Sequence, residues 1–332
     1  MEVEYGRPFI GDKLEETKKF VQSFGLSWEP SVQTTVNLVE NGEIIASGSR
    51  EFNVLKCICV DPFRQGNGLA ASLLTELIKD AFQTGCFHLF IYTKPENIHL
   101  FQQLGFYEVV VTNEVALLEN ERNGIEQFLQ EIKVPGIQGE VGCIVANCNP
   151  FTKGHLYLIE TAAERCDFIY LFILSEQRSR FSAEVRLRLA QAATAHLTNV
   201  RVCQTGDYLV SSATFPDYFI KDKPRSSEIS CAMDMEVFAK YFAEVLNIKK
   251  RFVGDEPFSY VTKIYNEQML ATLPGKGIEV IELPRCEIGG EAVSASKVRR
   301  LYDEGRLDEI RPLVPDCTFE YLERMSINEK IH

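Results

Sequence analysis

The apolar and polar positions divide the chain into two parts with different rhythms. In the first, Leu14, Phe20, Val21 and Phe24 share one face of a predicted helix, opened by Asp12-x-x-Glu15 as a capping box and stopped by Gly25. Two strand-like runs follow, Gln33–Val39 and Ile44–Ser47, joined by Asn41-Gly42, a dipeptide suited to the positive φ angles of a two-residue hairpin turn. A third strand, Val54–Val60, leads into Ala70, Leu73, Leu74, Leu77, Ile78 and Ala81, whose three-and-four spacing predicts an amphipathic helix.

From Val141 the rhythm changes. Val141, Cys143, Ile144 and Val145 form a nearly unbroken apolar run, as a strand buried on both faces of a parallel sheet requires. Asn147–Pro150 breaks it, and from His155 the apolar residues Leu156, Ile159, Ala162 and Ala163 recur at helical spacing. Phe168–Leu174 is a second such strand, giving a right-handed βαβ unit. Val200–Cys203, Arg251–Gly254 and Ile278–Leu283 predict further strands, and Val237, Phe238, Tyr241, Phe242, Val245 and Leu246 a core helix. Thr205–Ser230, with Gly206, Pro216 and Pro224, reads as an irregular excursion, and the stretch after Leu301 as a packed tail. The polar Glu119–Glu140 region carries Asn123-Gly124, Pro135-Gly136 and a short helix, Ile125–Ile132. The expected division is a first domain over 1–130, a linker over 131–140 and a second domain over 141–332.

Composition narrows the function. The chain has 332 residues, enough for two domains, with 45% hydrophobic and 25% charged residues, the balance of a globular protein. A formal net charge of −12 argues against nucleic acid as a partner, yet allows a local cationic pocket for one nucleotide. The polar, acidic N-terminus and the absence of any eighteen-residue apolar run predict a cytoplasmic protein with no membrane partner. The ten cysteines form no C-x-x-C pair, and Cys57, Cys59 and Cys143 sit in apolar runs, so reduced thiols and no protein-bound metal are expected.

Five stretches carry candidate chemistry. Thr152-Lys153-Gly154-His155 lies where a strand ends and a helix begins; Gly154 permits close approach, and the helix N-terminus offers N–H groups to phosphate beside a hydroxyl, a cation and an imidazole. Taken alone, the tetrapeptide reads first as a helix cap with a surface lysine and a packed histidine. Far downstream, Ser294 and Ser296 open a helix bearing Lys297 and Arg299, a second phosphate-binding end. Asp255-Glu256-Pro257, just past a strand, suits either a ribose or magnesium contact or a turn. Arg178, Arg180, Arg186 and Arg188 make a basic cluster around Ser182, itself a natural N-cap. In the first part, Gln65-Gly66-Asn67-Gly68-Leu69-Ala70 lets backbone N–H groups face an anion ahead of a helix, or is a plain flexible loop.

Longer strings add a resemblance. The paired stretches resemble the T/H-x-G-H and I-S-S/A-x-x-x-R motifs of the nucleotidyltransferase superfamily. NCNPFTKGHLYLIE, VGDEPFSYVTKIYNEQM and VSASKVRRL are similar to the citrate lyase ligase family. The element order of the first part, the Q/R-x-x-G-x-G/A loop and FIYTKPENIHLFQQLGFYEV resemble the GNAT acetyltransferases. The fold these imply is α/β: a GNAT-like α+β domain followed by a Rossmann-like nucleotidyltransferase domain with a parallel sheet. The implied reaction is an AMP-forming acid–thiol ligation, using ATP, Mg2+ and acetate, on the acyl carrier subunit of citrate lyase with its coenzyme A-like prosthetic group. By resemblance, His155, Thr152, Lys153, Lys297 and Arg299 are catalytic, and Asn149, Gly154, Asp255, Ser294 and Ser296 bind ATP. Gln65, Gly66, Gly68 and Ala70 would hold the arm's pyrophosphate, and one arginine of 178–188 would lie near substrate. One residue departs from the pattern: Phe101 stands where many GNAT enzymes carry a tyrosine that protonates a leaving thiolate, and a phenyl ring donates no proton. The alternatives are a bifunctional acetyl-CoA-dependent N-acetyltransferase with an adenylyltransferase acting on an unrelated metabolite, and a non-enzymatic regulator that binds nucleotide or acyl-CoA and reports it to a partner.

Overall fold

A computed structural model describes residues 1–176, 179–209, 218, 220, 225–255 and 260–331. The chain packs as two compact units, Met1–Gly124 with Phe215–Ile229, and Ile125–Thr214 with Ser230–His332. No described helix is long and apolar enough to cross a membrane.

The first unit holds a seven-stranded sheet. Its elements are β1 (Glu2–Gly6), α1 (Gly11–Ser23), β2 (Thr34–Glu40), β3 (Glu43–Glu51), β4 (Val54–Val60), α2 (Leu69–Gln83), β5 (Phe90–Thr93), α3 (Ile98–Gln102), β6 (Tyr107–Val111) and β7 (Ala116–Glu119). The strand order is β1-β2-β3-β4-β5-β7-β6. All neighbours are antiparallel except β4 and β5. Asn41 (φ 53) and Gly42 (φ 81) make the tight turn their dipeptide predicts, the two positive angles matching the twist of the flanking strands. The stripe of α2 buries Leu73, Leu74, Leu77 and Ala81 with Val36, Leu38, Leu55 and Ile91 of the sheet. Each fully buried leucine contributes about 1.5–3 kcal/mol. The expected capping box on α1 is not formed. The helix starts at Gly11 with Ile10 as an N-cap making no side-chain bond, so Asp12 falls inside the first turn, where its charge faces the positive end of the helix dipole.

The second unit is a parallel αβ layer. Its elements are α4 (Gly124–Ile132), β8 (Val141–Ala146), α5 (Lys153–Ala163), β9 (Phe168–Ile173), α6 (Ala183–Ala193), β10 (Val200–Gln204) and α7 (Ser226–Val237), the last running into a π-helical turn at Phe238–Ala243. They continue as β11 (Ile248–Gly254), α8 (Tyr260–Thr272), β12 (Glu279–Leu283), the hairpin β13 (Glu287–Ile288) and β14 (Glu291–Ala292), α9 (Ala295–Asp303), α10 (Leu307–Ile310) and α11 (Asp316–Ile331). Strands β10-β9-β8-β11-β12 form one sheet in that order, every pair parallel. One face is covered by α5 and α6 through Ile159, Ala162, Leu189 and Ala190 against Ile144, Leu171 and Phe252. On the other, Phe172 meets Phe242 edge-on, with ring centroids 5.3 Å apart. The predicted tail folds as helices whose Leu313, Phe319 and Leu322 pack with Val298 and Leu301.

The chain leaves β8 outward to β9 and β10, then returns to β11 on the other side of β8. That reversal opens a crevice beyond the carboxyl ends of β8 and β11, where ligands bind in open parallel sheets.

Candidate active site

Three strand ends meet at that crevice. A cleft of about 460 Å3 is lined by Thr152, Gly154 and His155 after β8, Gly254 and Asp255 at β11, Arg285 and Cys286 after β12, and Val293, Ser294 and Ser296 at the start of α9.

Thr152 is the N-cap of α5 and, with His155, forms a reciprocal capping box in which a histidine replaces the usual glutamate. Its side chain accepts from the His155 N–H, while the Thr152 N–H donates to His155 Nδ1 at 3.0 Å. An Nδ1 that accepts a backbone N–H carries no proton, so the neutral ring bears its hydrogen on Nε2. Burial, and then the positive charge of Arg285, pushes the His155 pKa down to about 4. The ring is therefore neutral at pH 7, a hydrogen-bond donor without net charge.

That shift has a thermodynamic consequence. The unfolded chain takes up a proton on this histidine near pH 6.5 and the folded one near pH 4, so acidification through that window favours unfolding. Denaturant titrations at pH 6.5 and pH 4 are expected to show a smaller loss of stability on acidification in His155→Asn than in the wild type. Equal losses would contradict the partly buried neutral ring.

Gly154 sits where two motifs touch. A Cβ there would lie 3.2 Å from the Val293 carbonyl oxygen, so glycine lets α5 approach the segment that opens α9. Ser294 caps α9 by accepting from the Lys297 N–H at 3.1 Å. Arg299 closes the link: one guanidinium nitrogen donates to the Asn149 carbonyl and another to Ser296 Oγ at 3.0 Å.

The structure thus brings Thr152, Gly154, His155, Asp255, Ser294 and Ser296 to one cleft. Asn149, Lys153, Lys297 and Arg299 stand outside its lining. The Asn149 side chain accepts from the Phe181 N–H at 3.2 Å, Lys297 pairs with Glu291, and Arg299 braces the turn before Thr152.

The described arginines of the basic cluster each have a partner within the protein. Arg186 is fully buried and donates to the carbonyls of Phe181, Asn147 and Glu176; Arg180 pairs with Asp303 at 3.0 Å; Arg188 lies 5.7 Å from the centre of the Tyr321 ring. Arg178, Glu256 and Pro257 lie outside the described residues. Ser182 caps α6, accepting from Val185 N–H. Sequence reasoning missed Arg285, whose Nε donates to the Asp255 carbonyl at 2.7 Å. Its signal was available: it stands two residues beyond a predicted strand end, in the position that faces a parallel-sheet site.

In the first unit, Gly66 (φ 84) and Gly68 (φ 72) take left-handed conformations that side chains resist, and Gly68 is the N-cap of α2. Gln65 and both glycines are exposed, Leu69 anchors the helix in the core, and Ala70 lies in the first turn. The first-turn N–H groups thus face an open loop. Phe101 is 8% exposed, within the core.

Among the described residues no group of three or more His, Cys, Asp or Glu side chains is placed to hold a metal ion.

Comparisons with known proteins follow this two-part plan. The family described as citrate lyase ligase C-terminal domain matches residues 141–322, and the acetyltransferase (GNAT) family matches residues 7–106. A citrate (pro-3S)-lyase ligase of Escherichia coli (strain K12) is 37% identical over 322 residues, covering 94% of this chain and 91% of that protein. One from Klebsiella pneumoniae is 36% identical over 323 residues, covering 96% of this chain and 94% of that protein. A phosphopantetheine adenylyltransferase of Streptococcus gordonii is 29% identical over 109 residues, covering 31% of this chain and 66% of that protein. With identity above a third along nearly its whole length, the chain belongs to the citrate lyase ligase family.

Proposed function

We propose that the second unit condenses acetate with ATP and that the acetyl group then passes to the thiol of the coenzyme A-like arm on the acyl carrier subunit of citrate lyase, activating that enzyme. The observation that carries this reading is the convergence of Thr152–His155 and Ser294–Ser296 on one cleft, in a chain of this family. The local likeness to an adenylyltransferase supports the nucleotidyl step.

In the first step an acetate oxygen bonds to the α-phosphorus as the bond to pyrophosphate breaks, leaving acetyl-AMP. The protein's work is to align the reactants and offset charge that builds on the phosphates. The α5 N-terminus and the His155 Nε2–H donate to phosphoryl oxygens, and the α9 N-terminus, with Ser294 and Ser296, receives the others. Arg285 adds a positive charge across the cleft from His155. Mg2+ keeps several waters and phosphate oxygens and takes few protein carboxylates, so it would arrive with the nucleotide, with Asp255 the acid at hand. No general base is needed, because the carboxylate is already the nucleophile. In the second step the thiol sulfur bonds to the acetyl carbon, AMP leaves, and the thiol proton passes to solvent. The loop Gln65–Ala70 of the first unit would hold the pyrophosphate of the arm.

Product analysis with ATP, Mg2+ and acetate, with and without deacetylated citrate lyase, tests the reading. AMP and pyrophosphate are expected only when acetate is present, with recovery of lyase activity. Turnover of acetyl-CoA without ATP would overturn it in favour of a bifunctional acetyltransferase, a reading the buried Phe101 disfavours.

A further inference from the structure

Strands β4 and β5, the parallel pair of the first sheet, are joined only at Val54–Phe90 and Leu55–Ile91. Yet β4 runs on to Val60 and β5 to Thr93. Past Ile91 the two strands diverge as a fork, and buried backbone groups on their inner edges need partners. Cys57 adds to the opening. It has φ 54 at the irregularity where the β3–β4 register shifts, which turns its amide away from an ordinary ladder.

The side chain that answers these groups comes from far along the sequence. The Tyr218 hydroxyl donates to the Tyr92 carbonyl at 2.9 Å, and the Cys57 backbone hydrogen-bonds the same phenol oxygen. The Tyr218 carbonyl accepts from the Ser27 N–H at 2.7 Å. The Lys56 ammonium lies 5.7 Å from the ring centre and is itself buried in ion pairs with Glu51 and Glu29. Tyr218 is only 6% exposed. It bridges both arms of the fork rather than resting on its rim.

The fork opens toward the carboxyl end of β4, from which the chain turns through residues 61–68 into α2. An arm with its pyrophosphate on Gln65–Gly68 would point its pantetheine part into that opening. Its amides would pair with the freed strand edges as an added strand does. Two groups cannot fill the same volume and hydrogen-bond the same backbone atoms.

We infer that Tyr218 competes with the prosthetic arm for the β4–β5 fork, so that the end of the arm seats only when the Tyr218 ring has left. This rests on the reading of the first unit as receiver of that arm.

Coenzyme A carries the same pyrophosphate and pantetheine parts and serves as the probe. It is titrated against the full-length wild type, Tyr218→Phe and Tyr218→Ala by calorimetry. Binding is also followed through Trp28, the single tryptophan, which stands between Ser27 and Glu29 and therefore senses the loss of Tyr218 from its seat. Tyr218→Phe removes the hydroxyl's hydrogen bonds from the competing occupant, so coenzyme A is expected to bind about tenfold tighter. Tyr218→Ala is expected to bind tighter still, with AMP formation from ATP and acetate unchanged in both. Should the alanine variant fail to fold, the phenylalanine variant carries the test. Equal affinity in all three proteins overturns the competition while leaving the first unit's reading intact. Binding to none of them overturns that reading, and the competition with it.

Discussion

Replacing His155 with Ala is expected to lower the formation of AMP and pyrophosphate by about 10²–10³-fold, the usual effect of losing one donor aimed at developing charge. The ring has two duties, and paired substitutions separate them. Its Nδ1 accepts the Thr152 N–H and so completes the cap of α5, while its Nε2–H is left for the cleft. An asparagine oxygen can stand in for Nδ1 but supplies no donor at the far end of the ring. A glutamine amide reaches the Nε2 position and can donate there. His155→Asn should therefore keep most of the helix-cap contribution, which is about 1 kcal/mol, and lose the activity. His155→Gln should recover part of the rate. The measurement is initial-rate release of pyrophosphate, with thermal melts of each variant. A His155→Asn protein that works as well as wild type would mean that the histidine only caps the helix, and the nucleotidyl assignment of the cleft would fail.

Much of this site was legible because its parts lie at element boundaries that local chemistry marks. Strand β8 is nearly all apolar, Thr152 is a natural cap, Gly154 permits the close approach to Val293, and Ser294 begins the next signal. Each is a short-range property of a few residues. What was not legible depends on packing across distance. Arg178, Arg180, Arg186 and Arg188 look alike in sequence, all basic and close to a cap, and nothing local tells a buried clamp from a surface cation. Only the fold shows that Arg186 faces the turn after β8 whereas Arg180 meets Asp303. The first unit repeats the lesson. The α2 stripe and the Asn41-Gly42 turn follow from spacing and backbone preference. The capping box at Asp12 fails because helix starts are set by where the preceding chain can enter, and here it enters two residues early. Tyr218 in the first unit is the extreme case, since the contact joins it to Tyr92, distant in sequence.

Arg186→Met is expected to destabilise the second unit by about 3–5 kcal/mol, the range for removing one partner of a buried charged network. The arginine is fully buried, and its planar fork donates to the carbonyls of Phe181, Asn147 and Glu176 at 3.0, 3.0 and 2.7 Å. Methionine fills similar volume but leaves three carbonyl oxygens short of a donor, and each such group costs about 1–3 kcal/mol when relaxation and water do not rescue it. For a unit of this size the midpoint of thermal unfolding should fall by about 10 °C. Lysine should not restore it, because one compact ammonium cannot reach three acceptors spread around a plane. Arg188→Ala supplies the control: that side chain makes a cation–π contact with Tyr321, and the change should be small. Kinetics then separate a clamp from a substrate contact. Asn147 begins the turn that leads to Thr152, so a loosened clamp should mainly raise KM for ATP at temperatures where the variant is folded. If Arg186→Met melted with the wild type yet lost its rate, the arginine would instead be acting on substrate, as the basic cluster in the sequence first suggested, and its burial would have to be relieved in the working enzyme.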